Sequence, residues 1–207
     1  MTRFMLWTST LSWTLLVLLS GCRSITPAVT YYTINPIAGE ASIMDSGRKN
    51  ITRVGIRPIT LPGIISRVQM VRQVDPNRME ISAFNRWVDY PDRLVQGVLE
   101  ENLTLLLPDA QVVGAPWPVG FQPDVILSIQ FIRLIGAADK KVRLDVDWTV
   151  SKAVSDNDQT PLSEAYRQTF IEPMSGSGFD DLAAAHSRAL EVFCRQVAGT
   201  LLPSTMH

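Results

Sequence analysis

The chain has 207 residues, with 19 basic against 20 acidic side chains and a formal net charge of −1. There is no basic excess to neutralise phosphates, which excludes nucleic acid as a partner class, and the charges are scattered without a polybasic arm or acidic tail. The length suits one domain with a real core.

Residues 1–21 read as a lipoprotein signal peptide. Arg3 supplies the positive start and Leu11 to Leu19 the apolar stretch. A membrane span needs roughly 20 consecutive apolar residues, and Thr8, Ser9, Thr10 and Ser12 break the run. Ser20-Gly21-Cys22 then places small residues before a cysteine. Only a thiolate is nucleophilic enough for mild alkylation by a diacylglyceryl donor, so Cys22 is the expected lipidation site and mature N-terminus. No second segment is apolar and long enough to span a bilayer. Cys194, the other cysteine, has no intramolecular partner in the mature chain and is expected to be buried and inert, with intermolecular pairing as the alternative.

Residues 22–29 form a tether. Tyr31 to Ile34 reads as a strand, and Asn35 to Asn50 as a loop. Ile51 to Leu61 suggests a half-buried strand interrupted by Pro58. Val68 to Val74 alternates again, and Asp75-Pro76-Asn77 forms a turn. Arg78 to Ile81 and Ala83 to Trp87 are expected as an extended pair. Pro91 to Leu107 predicts a helix capped by Asp89, with Leu94, Val95, Val98, Leu99, Leu103 and Leu106 on one face. Gln111 to Val113 is a short strand, followed by a rigid Ala115-Pro116-Trp117-Pro118 turn. Asp124 to Leu134 and Lys141 to Val150 alternate cleanly, joined as a hairpin by Gly136 to Lys140. Glu164 to Ile171 is a further strand. Asp180 to Leu202 predicts a second helix, buried through Leu182, Leu190, Phe193, Val197 and Leu201. The expected fold is α+β: a two-layer domain over residues 30–203, with a mostly antiparallel or mixed sheet against two long helices.

Catalytic equipment is sparse. His186 lies one helical turn from Leu182 and Leu190, as a structural histidine would. No HExxH or paired CxxC motif points to a metal, and none points to a cofactor. Ser175-Gly176-Ser177-Gly178 lacks the glycine that a nucleophile elbow needs two residues before its serine. Asp145 and Asp147 fall on the solvated side of their strand. Leu61-Pro62-Gly63-Ile64-Ile65-Ser66-Arg67 sets two isoleucines in a turn. It reads either as an interface, with Ile64, Ile65 and Arg67 as its residues, or as a loop tucked on the core. Successive extended residues point to opposite sides, so at least one isoleucine is expected outside.

With these segments placed, the chain resembles the ABC-type transport auxiliary lipoproteins of the paraquat-inducible protein C group. Tyr31-Tyr32-Thr33-Ile34, Arg57-Pro58-Ile59-Thr60-Leu61-Pro62 and Arg67 to Val71 carry the resemblance. Asn85-Arg86-Trp87, the Leu94 to Leu103 helix, Pro116-Trp117-Pro118, Trp148 and Ala183 to Ser187 extend it. The aromatic-leucine-acidic-arginine turn usual after Leu61-Pro62 keeps only Arg67 here. The resemblance implies a non-enzymatic component of a lipid transport system, on the periplasmic face of the outer membrane. Its implied partners are a mammalian-cell-entry-type tunnel protein of the inner membrane, membrane lipid and further copies of itself in a ring. The implied cargo is phospholipid or another hydrophobic molecule. A general envelope scaffold and an envelope hydrolase are the alternative classes.

Overall fold

The computed structural model describes residues 27–38, 53–153 and 163–201. Its strands are β1 (Thr30–Tyr32), β2 (Arg53–Ile56), β3 (Gln69–Asp75), β4 (Arg78–Trp87), β5 (Gln111–Gly114), β6 (Val125–Ala137), β7 (Lys141–Lys152) and β8 (Ser163–Pro173). The helices are α1 (Pro91–Leu106) and α2 (Phe179–Leu201). The protein is α+β, with one mixed eight-stranded sheet.

Strand β6 is the spine. Antiparallel β7 follows it from Val125↔Lys152 to Ala137↔Lys141, occupying one edge. The other edge is shared. Parallel β2 pairs with its first residues, Val54↔Val125 to Ile56↔Leu127, and parallel β3 meets it near the far end at Arg72↔Gly136. The sheet therefore forks. Strand β5 extends the β2 branch, while β4 and β1 extend the β3 branch. The chain between the branches touches β6 once, at Thr60↔Gln130.

The period-two pattern explains the hairpin. Val125, Leu127, Ile129 and Phe131 are buried on β6, as are Val142, Leu144, Val146 and Trp148 on β7. A bulge between Phe131 and Arg133 interrupts the register. It leaves Ile132 exposed and returns Leu134 to the side of Phe131, since their partners Leu144 and Val146 share a face. Gly136 belongs to β6, not to the turn, because α2 lies close above it. A Cβ there would stand 2.2 Å from Leu182 Cδ1.

Two further expectations are corrected. Arg78 to Trp87 is one strand, paired with β3 rather than folded on itself. The break expected at Ser82 takes the form of an irregularity inside the strand: the register jumps from Val71↔Ile81 to Gln69↔Arg86, and the Ser82 hydroxyl accepts from Asn85 N–H at 3.0 Å within the gap. Asp89 is not the α1 cap. Pro91 holds Tyr90 extended (φ −62°, ψ 133°), so Tyr90 takes the cap position. The Asp89 carboxylate instead accepts from the Tyr90 N–H at 2.7 Å.

Both helices bury their apolar stripes in one core. Phe193 of α2 is its hub, meeting Phe131, Trp148 and Phe170 edge-on at 5.9, 5.5 and 5.9 Å between ring centres. Asn102 sits fully buried on the apolar side of α1. Its Oδ1 accepts from Ile37 N–H at 2.8 Å, and its Nδ2 donates to Cys194 Sγ at 3.7 Å. This polar residue ties the chain after β1 to both helices.

Candidate interaction site

The fork in the sheet holds the Leu61 to Arg67 turn. Ile65 N–H and Ser66 N–H both donate to Pro62 O, at 3.0 and 3.1 Å, and Arg67 N–H donates to Ile65 O at 2.8 Å. The segment is thus a closed turn, not an extended run. Ile64 is 38% exposed, whereas Ile65 is buried in the core at 9%. Gly63 does not demand glycine: its φ is not positive, and an added Cβ would meet nothing within 4 Å.

The turn forms one wall of a groove of about 260 Å³. Pro62, Ile64 and Ile65 line it together with Met79 of β4 and with Ile132, Leu134 and Ile135 along the β6 edge. The β3–β4 register shows which side this is. Arg72 and Glu80 are paired on one face, where Arg72 lies over the Phe179 ring that begins α2. Gln73 and Met79, the next pair, face the opposite way. Gln73 and Met79 therefore sit on the sheet face turned away from the start of α2. Two of its lining side chains are apolar and exposed: Met79 at 40% and Ile132 at 45%. Only the turn was legible as a candidate, because Met79 and Ile132 come from distant segments. The bulge that exposes Ile132 has no local sequence signal.

The other chemistry-bearing residues are structural. The His186 ring meets Trp87 edge-on at 5.4 Å, and Nδ1–H donates to Leu182 O at 2.8 Å. Cys194 is fully buried, and burial pushes its thiol up to about 12. Asp147 pairs with Arg167, which holds its carboxyl below the usual range. Asp145 pairs with Arg133 at 3.2 Å and accepts from Thr169 at 2.8 Å. Asp181 Oδ2 accepts from Gly178 N–H at 3.1 Å, so the Ser175 to Gly178 stretch leads into α2. Among the described residues, no His, Cys, Asp and Glu side chains group to hold a metal. No described helix is long and apolar enough to cross a membrane. Cys22 lies outside the described residues.

Burial lowers the His186 pKa from its ordinary 6.5, outweighing the Leu182 and Leu134 carbonyls that favour the charged ring. The unfolded chain then binds a proton that the folded chain resists. Stability from the neutral ring is present above pH 6.5 and is lost as pH falls through that value toward the folded pKa. Denaturant titrations from pH 7.5 to 5 should show this fall, and His186→Gln should flatten it. An equal slope in both proteins would contradict the assignment.

Two solved structures share this fold. One, a crystal structure of an uncharacterised protein, has a TM-score of 0.66 at 15% identity and covers 84% of this chain and 99% of its own. The other, a Xanthomonas campestris protein of the DUF330 family, has a TM-score of 0.64 at 13% identity, with 84% and 95% covered. No curated protein matches the chain. The family model for the ABC-type transport auxiliary lipoprotein component matches residues 32–198, from β1 through most of α2, and the chain belongs to that family.

Proposed function

We infer that the protein is an outer-membrane lipoprotein that docks on a mammalian-cell-entry-type tunnel and helps pass phospholipid or other hydrophobic cargo across the periplasm. The match to the transport auxiliary family over residues 32–198 is the observation that carries this reading. The signal peptide is removed before Cys22, and acyl chains on Cys22 hold the domain to the membrane. Arg23 follows the lipidated cysteine, where an aspartate commonly signals inner-membrane retention, so the destination is the outer membrane. The role is non-enzymatic: His186 and Cys194 are buried in packing roles, and Ile64, Met79 and Ile132 leave apolar surface exposed around the turn.

That apolar rim supplies the docking surface, with Ile64 at its edge and copies of the chain as further occupants in a ring. Burying one isoleucine at an interface is worth roughly 1.5–3 kcal/mol, or about tenfold to a hundredfold in affinity. Ile65 is core, so changing it would confound folding with binding. Affinity capture from envelope extracts tests the reading with Ile64→Ser alone. The native protein should bring down a mammalian-cell-entry protein, and Ile64→Ser should capture markedly less at unchanged thermal stability. Capture of no such protein by the native chain would sink the transport reading.

A further inference from the structure

We propose that one face of the β1–β4 edge rests on the headgroup layer of the membrane that holds the anchor, with Val29, Tyr31, Phe84 and Val88 entering it and Arg86 meeting lipid phosphate. The occupant is the membrane surface itself, not transported cargo. The inference deepens the transport reading by orienting the anchored domain, and it rests on lipidation of Cys22 rather than on the tunnel. The ladder fixes which side chains share this face. Tyr31 is paired with Arg86 and Tyr32 with Trp87, in parallel register. Trp87 is buried and Tyr32 packs on the core, so Tyr31 and Arg86 point the other way. Val29 and Phe84 precede the first pair, Thr30↔Asn85, and alternation returns both to the side of Tyr31 and Arg86. Val88 follows Trp87 and continues the ladder, its N–H donating to Tyr32 O at 2.8 Å. All four apolar members are exposed: Val29 at 38%, Tyr31 at 61%, Phe84 at 37% and Val88 at 59%.

Reach, charge and residue type select the membrane as occupant. Seven residues separate Cys22 from Val29, and they span at most about 25 Å when fully extended. The chain therefore passes from its anchor straight onto this face. Arg86 pairs with no carboxylate among the described residues, and its Nε is buried without a hydrogen-bond partner. The same side continues onto β3 through Gln69↔Arg86, Val71↔Ile81 and Gln73↔Met79, and meets its first carboxylate at Asp75, which Arg78 holds at 2.7 Å. Glu80 lies on the opposite side with Arg72, and Asp89, next to Val88, faces Arg93 at 3.5 Å. A face with an unopposed guanidinium and no free carboxylate is complementary to lipid phosphate. Tyrosine, apolar in its ring and polar at its tip, is a residue that membrane interfaces favour. Met79 lies seven residues before Arg86 on β4, up to about 23 Å along an extended strand. The membrane face and the Ile64 rim thus sit toward opposite ends of β4, so the anchored domain holds the rim away from the bilayer.

The test uses the full lipidated protein in phosphatidylethanolamine vesicles, with or without phosphatidylglycerol. An environment-sensitive fluorophore is placed on Tyr31→Cys, on Val88→Cys or, as a control on α2, on Val192→Cys. Cys194 is fully buried with its thiol pushed up to about 12, so the new thiol takes the label. Lipids brominated near the headgroup quench a fluorophore that touches the membrane. Quenching should be at least threefold stronger at positions 31 and 88 than at 192. Phe84→Asp should halve it at both positions, and Arg86→Gln should erase the extra quenching that phosphatidylglycerol brings. Val29→Asp, which lies before β1, should also weaken it and keeps the test decisive if Phe84→Asp fails to fold. Equal quenching at all three positions overturns the proposal. So does a spectral shift that grows with protein density and ignores brominated lipid, the mark of a second copy on this face. Cys22 found without acyl chains refutes the anchor and the proposal together, whereas equal quenching on acylated protein refutes the proposal alone. Selective quenching without tunnel capture from envelope extracts supports the membrane face and refutes the transport reading.

Discussion

Replacing Phe193 with alanine should cost roughly 3–5 kcal/mol of folding stability, the range for truncating a buried aromatic. Phe193 is fully buried and serves three edge-on ring contacts, with Phe131, Trp148 and Phe170. Such pairs add about 0.5–1.5 kcal/mol beyond the area they bury. Those partners lie on β6, β7 and β8, so the cavity would open between α2 and three strands at once. Leu190 and Val197 on either side are also fully buried, held within the same helix stripe, and cannot swing freely into the space. Equilibrium denaturation in urea reads the loss directly. A change below about 1 kcal/mol would mean that the site collapses fully, contrary to the packing described.

The second large effect concerns the anchor. Cys22→Ser removes the thiol that would carry the diacylglyceryl group, and the precursor should accumulate uncleaved or the protein should leave the membrane fraction. Each buried methylene contributes about 0.8 kcal/mol, so two or three acyl chains hold a domain firmly. Metabolic labelling with an acyl precursor should mark the native protein and not the variant. Gradient fractionation should place the native protein with outer-membrane markers. Unchanged labelling in Cys22→Ser would refute the lipidation site, and co-migration with inner-membrane markers would refute the destination.

What was legible in the sequence depended on how local the governing contacts are. The helices α1 and α2 and the β6–β7 hairpin were placed within a few residues, because their burial repeats along a continuous segment. Their pairing partners follow from short connections. The parallel ladders β1–β4, β2–β5 and β2–β6 were not legible, since each joins segments far apart in the chain. Asn102 was also missed. A polar residue among Val98, Leu99 and Leu103 reads as solvent-facing until its partners, Ile37 and Cys194, are known. The Asp89 cap failed for a subtler reason: Pro91 set the start of α1, which put the cap at Tyr90.

The candidate site divides along the same line. The Leu61 to Arg67 turn stood out as apolar residues in a place built for polar ones. Its outcome, Ile64 outward and Ile65 inward, agrees with at least one isoleucine being exposed, although a hydrogen-bonded turn achieves it rather than extended alternation. The groove itself is a tertiary object. It needs the bulge at Ile132, the hairpin that carries Met79 and the fork that leaves the β6 edge open between Thr60 and Arg72.

Site-specific photo-cross-linking in living cells tests the central claim most directly. A photoreactive benzoylphenylalanine in place of Ile64 should form an adduct with a mammalian-cell-entry protein. The same analogue in place of Val192, exposed on α2 away from the groove, should not. Adducts of equal yield from both positions, or none with such a protein from position 64, would contradict the assignment of this rim as the surface that meets the tunnel.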